Sequence, residues 1–278
     1  MAEKMDGTHR RHPRREVAGY GSIAIGAARH GLPPRTLLLH GFTGCAADWD
    51  GLGIESPALA LDLPGHGGSP APDTTADGGF DVELRRLLAA LPHSIEHVAG
   101  YSLGGRIALG LLRLAPRRFR AATILSAHPG LTDAAERTER RAADRRWIEC
   151  LRRNGIVPFV GAWEELPLFA TQAGAPPARL AAQRARRLAQ SAEGLARSLE
   201  CFGLGRMPPA WDALLAWPGR LRWITGASDP KFSAIARRVA ALRPATESCL
   251  LPGIGHNILI EAPERLARLL DDDDAPSP

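Results

Sequence analysis

The sequence predicts an α/β protein: a mostly parallel sheet flanked by helices, interrupted by a long helical insertion. Three observations carry this. Residues from about 35 to 130 alternate short apolar runs with stretches of helical spacing, the pattern of strands joined by crossover helices. Strand signals then vanish from Thr132 to about Pro209, where Ala, Arg, Leu and Glu dominate. Strands return at Leu221–Thr225 and Glu247–Leu251, followed by a helix over Glu261–Leu270.

The elements follow in order. Met1 to Val17 is charged and lacks the apolar core of a signal peptide, so residues 1–20 are expected to form a flexible leader before a first edge strand near Ser22–Ala28. Thr36–His40 and Ala58–Asp62 are apolar enough for buried strands. Asp81–Leu91 has helical apolar spacing, Ser94–Gly100 reads as the next strand, Gly104–Leu114 as a helix and Ala121–Ser126 as a strand. Within 132–210, Pro158, Pro167, Pro176 and Pro177 separate helical segments, and the block is expected to cover the C-terminal edge of the sheet as a lid. The end, 271–278, opens with Asp271 to Asp274 and is expected to be a flexible, solvated acidic tail.

A chain of 278 residues can bury a sizeable core, as one α/β domain with an insertion or as two small domains; the strand pattern favours one domain over 1–278. Hydrophobic residues make up 45%, ordinary for a soluble protein, and no apolar run approaches the roughly 18 residues of a membrane helix. Cys45, Cys150, Cys201 and Cys249 are far apart, which favours free buried thiols in a reducing cytoplasm over a disulfide framework or a zinc site. Net charge is +5, almost all of the positive charge being arginine, with Lys4 and Lys231 the only lysines. No nucleic-acid recognition module accompanies the N-terminal run Arg10, Arg11, Arg14, Arg15, so nucleic-acid binding is not expected. No His/Asp/Glu cluster has metal-ligand spacing, so neither metal nor cofactor is expected.

The most informative stretch is Gly100-Tyr101-Ser102-Leu103-Gly104, a G-x-S-x-G pentapeptide between a strand and a helix. Such a turn projects a serine hydroxyl from the sheet edge, and the helix N-terminus beneath it favours nearby negative charge. Alone, the pentapeptide occurs by chance in many proteins. A serine also needs an imidazole to take its proton and a carboxylate to orient the imidazole. Asp229 follows the strand Leu221–Thr225, and His256 follows Glu247–Leu251, in the order serine, acid, histidine. An oxyanion hole would take the N–H of Leu103 and that of Phe42, in the loop after Thr36–Leu39. His40 and His66 read as loop-packing residues.

With these motifs the chain resembles the α/β-hydrolase superfamily over nearly its whole length. The resemblance narrows through Gly105-Arg106 beside the elbow, His128-Pro129-Gly130-Leu131, Glu139-Arg140-Arg141, Asp144-Arg145-Arg146-Trp147, Phe159-Val160-Gly161-Ala162-Trp163, Gly194-Leu195-Ala196 and Asp229-Pro230-Lys231-Phe232. These are similar to the MenH family, the 2-succinyl-6-hydroxy-2,4-cyclohexadiene-1-carboxylate synthases of menaquinone biosynthesis. The resemblance implies a cytoplasmic lyase without cofactor. It would eliminate pyruvate from 2-succinyl-5-enolpyruvyl-6-hydroxy-3-cyclohexene-1-carboxylate, a small tricarboxylate, with the Ser102–His256–Asp229 triad as base. It further implies that Arg106, Arg140 and Arg187 bind the carboxylates and that Tyr101 and Trp163 line the pocket; Arg184 and Arg186 lie close to Arg187 and compete for its place. Without the resemblance, Arg140 and Arg187 would read as solvated helix faces.

Two other classes stay open on the residues alone. A hydrolase of an anionic ester, or of a carbon–carbon bond in a diketone, would use the same triad. A ligand receptor that has lost catalysis would need no complete triad.

Overall fold

The computed structural model describes residues 15–73 and 79–272. Eight strands form one sheet: β1 (Arg15–Val17), β2 (Tyr20–Ile25), β3 (Thr36–Leu39), β4 (Ala58–Leu61), β5 (His97–Tyr101), β6 (Ala121–Leu125), β7 (Arg220–Gly226) and β8 (Glu247–Leu251), in the order β1-β2-β4-β3-β5-β6-β7-β8. The β1–β2 and β2–β4 pairs are antiparallel, and β3 to β8 run parallel. This is the α/β architecture the alternating pattern predicts.

Period-two side-chain alternation explains the two apolar layers. In Thr36–Leu39, Leu37 and Leu39 enter the core on one face while Leu38 enters the core on the other; Leu59 and Leu61 part from Ala58 and Ala60 in the same way. All three leucines of β3 are fully buried, each such burial stabilising by about 1.5–3 kcal/mol. The helices α1 (Gly79–Ala90), α2 (Leu103–Leu114), α3 (Ala134–Asn154), α4 (Ile156–Glu164), α5 (Pro177–Leu188), α6 (Ala192–Phe202), α7 (Trp211–Ala216), α8 (Pro230–Leu242), α9 (Ile258–Glu261) and α10 (Pro263–Asp271) complete the fold. Between β6 and β7 only helices occur, α3 to α7 with a 3-10 segment at Pro167–Gly174. They carry a small core of their own, where Ile148, Leu151, Phe159, Val160, Leu195 and Leu199 pack together and reach down to Phe42.

Several expectations need correction. The strand expected first, near Ser22–Ala28, is β2, which spans Tyr20–Ile25, and a strand precedes it: β1, Arg15–Val17, pairs with it inside the expected 1–20 leader. The cause is apolar: Tyr20 is buried and Val17 packs against the same core. Residues 1–14 lie outside the described residues. The helix expected at Glu261–Leu270 starts at Pro263 as α10, because Ala262 leaves helical geometry (φ −145°, ψ 51°), and Glu261 instead ends the short α9 before it. The acidic tail expected from Asp271 does not start there: Asp271 ends α10 and its carboxylate accepts hydrogen bonds from the amides of Glu55 (3.1 Å) and Ser56 (2.9 Å); 273–278 lie outside the described residues. Cys45 and Cys201 are buried, whereas Cys150 and Cys249 are only half-buried; all four are free. Among the described residues no helix is long and apolar enough to cross a membrane.

Candidate active site

The C-terminal ends of β3, β5, β7 and β8 converge on one place. Ser102 directly follows β5 at φ 53° and ψ −104°, a conformation that an L-residue adopts only when its surroundings enforce it. Its own N–H donates to the Leu125 carbonyl (2.9 Å) and the Gly104 N–H to the His40 carbonyl (3.0 Å), which ties the elbow to the neighbouring strands. The turn allows no side chain at 104: a Cβ there would lie 2.1 Å from the Leu39 carbonyl oxygen. Gly104→Ala is therefore expected to destabilise the protein by at least about 2 kcal/mol, read as a lowered midpoint in urea unfolding.

His256 Nε2 lies 3.1 Å from Ser102 Oγ, and its Nδ1 lies 2.8 Å from Asp229 Oδ2. The ionised carboxylate only accepts, so Nδ1 carries the hydrogen and Nε2 is left to accept from the serine hydroxyl. Asp229 caps α8, its Oδ1 accepting from the Phe232 N–H at 3.2 Å. The histidine loop is held by Glu261, whose carboxylate accepts from the amides of Gly255 (2.7 Å) and Asn257 (3.2 Å). It also approaches the end of β7 so closely that a Cβ on Gly226 would sit 2.0 Å from the Gly255 carbonyl oxygen. Phe232 packs on the imidazole with 4.5 Å between ring centroids.

The loop after β3 is set by histidines. His40 Nε2 accepts from the Leu63 N–H (2.9 Å) and its Nδ1–H donates to the Gly41 carbonyl (2.7 Å). Its ring packs against His66 at 4.9 Å. Both rings are buried, and burial holds both pKa values below the usual imidazole range. Among the described residues, the N–H groups of Phe42 and Leu103 donate to no protein acceptor, and both residues line the cavity in front of Ser102.

That cavity, of about 160 Å³, is bounded by Tyr101, Ser102, Arg106, Arg140, Trp163 and Arg187 among others. The structure thus brings every residue singled out for the site, apart from the buried Asp229, to one wall or another of a single cavity. Arg187, rather than Arg184 or Arg186, lines it: Arg184 is exposed and shares Glu164 with Arg187, and Arg186 pairs with Asp48 (2.6 Å). Arg187 is buried and holds Glu164 at 3.1 Å, its guanidinium 5.2 Å from the Phe169 ring centroid. Arg140 Nε bonds Asp144 Oδ1 at 2.9 Å, and Arg106 donates to the Phe202 carbonyl. Burial, then the Arg140 charge, lower the pKa of Arg106, while Asp144 works the other way. Asp144 itself is pushed up by burial and pulled down by the two guanidinium groups. Trp163 stacks on Phe159 at 5.5 Å, and its buried Nε1–H has no acceptor among the described residues.

Sequence reasoning missed several neighbours. Lys231, Phe232, Gln183 and Asn257 also line the cavity, while Glu261, Glu164 and Asp144 hold its residues in place. Lys231 and Asp144 stood inside motifs that carried the resemblance, which was the one signal available; nothing in the sequence marks Glu164 or Glu261.

A sequence profile of the alpha/beta hydrolase family matches residues 36–269. The chain is 34% identical over 257 residues to the 2-succinyl-6-hydroxy-2,4-cyclohexadiene-1-carboxylate synthase of Enterobacter sp. (strain 638), covering 89% of this chain and 95% of that protein. It is 34% identical over 248 residues to the synthase of the same name from Salmonella agona (strain SL483), covering 85% and 94%. Among solved structures, MenH from S. aureus matches with a TM-score of 0.79 at 28% identity, over 90% of this chain and 96% of that one. A thermophilic esterase from Thermogutta terrifontis shares the fold at 21% identity, with a TM-score of 0.74 over 94% and 97% of the two chains.

Proposed function

The chain belongs to the alpha/beta hydrolase family and, within it, to the 2-succinyl-6-hydroxy-2,4-cyclohexadiene-1-carboxylate synthases, and from that membership we propose how its own residues carry out the elimination. The enzyme is a carbon–oxygen lyase of menaquinone biosynthesis that releases pyruvate from 2-succinyl-5-enolpyruvyl-6-hydroxy-3-cyclohexene-1-carboxylate. The observation that carries the mechanism is a hydrogen-bonded serine–histidine–aspartate set opening into a cavity walled by cations.

Ser102 Oγ, its own proton accepted by His256, takes the hydrogen from the ring carbon that bears the succinyl ketone. Negative charge then develops on the ketone oxygen, where the Phe42 and Leu103 amides are free to donate and the start of α2 adds its dipole. The electron pair moves through the ring double bond, the ring carbon–oxygen bond breaks, and enolpyruvate leaves and ketonises to pyruvate. No water enters and no acyl-enzyme forms. Asp229 keeps the imidazole in the tautomer this requires and stabilises its charged form.

Arg106, Arg140 and Arg187 bind the three carboxylates, since guanidinium forks match carboxylate geometry. Tyr101 and Trp163 form the pocket wall, and the unpartnered Trp163 Nε1–H is a donor for a substrate oxygen. The helices within 132–210 act as the lid that supplies Arg140, Trp163 and Arg187. Purified protein given the enolpyruvyl substrate is expected to release pyruvate and lose the ring absorbance pattern of the monoene for that of the conjugated diene, in equal amounts. Rapid turnover of p-nitrophenyl esters with no pyruvate would instead support an esterase.

The lid also bears on substrate capture. The 132–210 stretch holds 13 arginines against 9 acidic residues, four of the chain's +5 net charges. Cationic clefts draw anions in, and salt screens that attraction. The kcat/KM is expected to fall by about 10-fold or more between low and high salt, with kcat much less affected. Equal kcat/KM across the salt series would show that the lid charge does not steer.

A further inference from the structure

Lys231 lies two positions beyond the triad aspartate, in the first turn of α8, and lines the cavity together with Arg106 and Arg140. Among the described residues its ammonium forms no ion pair with a carboxylate; its neighbour is the Phe232 ring, 5.7 Å to the centroid. The one carboxylate whose charge reaches it, Asp229, is already committed to His256 and to the Phe232 amide.

The cations at this end of the cavity are crowded. Burial and then the Arg140 charge lower the Lys231 pKa. His128 lies against the same group: burial, followed by Lys231, Arg106 and Arg140, lowers it to about 4. Asp144 is the carboxylate set against them, bonded to Arg140 Nε. Arg106 spends a donor on the Phe202 carbonyl. Lys231 keeps all three N–H donors for whatever fills the cavity. Asp144 is one carboxylate set against two guanidinium groups and an ammonium, so the empty site is short of negative charge, and a bound carboxylate supplies it. Lys231 is exposed as a residue, at the open side of the cavity, yet the wall it lines is shared with Arg106 and Arg140.

We propose that Lys231 is a further substrate-binding residue: with Arg106 and Arg140 it forms a subsite for one carboxylate of the substrate and orients the ring against the triad. This rests on the lyase reading given above. The test compares wild type, Lys231→Gln and Lys231→Arg in pyruvate release, and titrates the enolpyruvyl substrate into Ser102→Ala with and without Lys231→Gln. Lys231→Gln raises KM by about 10-fold or more with a smaller change in kcat, and raises Kd by a similar factor in the Ser102→Ala background. Lys231→Arg restores most of the loss, and the melting temperature stays that of the parent. If wild type turns over and Lys231→Gln keeps the parent KM and Kd, the subsite is overturned alone. A wild type that neither releases pyruvate nor binds the tricarboxylate overturns the lyase reading and the subsite together.

Discussion

Ser102→Ala and His256→Ala are each expected to lower kcat by roughly 10⁴-fold or more. The two groups work as one unit: the serine has no basicity at neutral pH without the imidazole 3.1 Å away, and in this mechanism the imidazole acts on the ring only through the serine. The double variant should therefore lose little more than either single one, a non-additivity that independent contributions would not produce. Ser102→Ala should still bind substrate, because the cations of the cavity are untouched. Steady-state pyruvate release on the three variants checks this, with far-UV circular dichroism to confirm that each is folded. A Ser102→Ala enzyme within about tenfold of wild-type kcat would remove the serine from the mechanism and leave the amides and arginines to account for the rate.

Arg106→Ala is expected to cost on the order of 2–5 kcal/mol in kcat/KM. Arg106 sits one turn beyond the nucleophile, on the wall of the cavity, where a hydrolase of apolar esters would more naturally carry a small residue. Its charge is held in a buried place next to Arg140 at an electrostatic cost, which a bound carboxylate offsets. The loss should appear mainly in KM. Arg106→Lys should recover only part of it, since an ammonium lacks the guanidinium fork. Truncation also removes the bond to the Phe202 carbonyl, so a melting curve separates a shifted lid from a lost carboxylate contact. Catalytic efficiency equal to wild type in Arg106→Ala would take this residue out of the site.

The elements most legible in the sequence are those dictated by local rules. Thr36–Leu39 and Ala58–Leu61 are short, wholly buried runs whose alternation feeds two core layers. The elbow is legible because only glycine fits where the Gly104 Cα meets the Leu39 carbonyl. Asp229 and His256 are legible because each follows a strand in the chain order that the motif demands. Boundaries were less so: the β1–β2 pair depends on Val17 and Tyr20 joining a core built by distant residues, and Asp271 is drawn in by amides at Glu55 and Ser56. The supporting charges were the least legible. Asp144 beneath Arg140, Glu164 beside Arg187 and Glu261 under the histidine loop act through partners set by packing of the lid and of α9, and a linear pattern does not encode those contacts. The choice among Arg184, Arg186 and Arg187 is of the same kind: all three fall within one turn of α5, and only the packing of that helix, which buries Arg187 and leaves Arg184 exposed, sorts them.

The claim on which the mechanism stands is that Ser102 strips hydrogen from the ring and is never acylated. A single-turnover experiment with substrate deuterated at the ring carbon that bears the succinyl ketone addresses it most directly. The account predicts that deuterium slows pyruvate release and diene formation together, several-fold, with unmodified protein mass throughout. A rate indifferent to the label, together with a transient mass increase on Ser102, would contradict it.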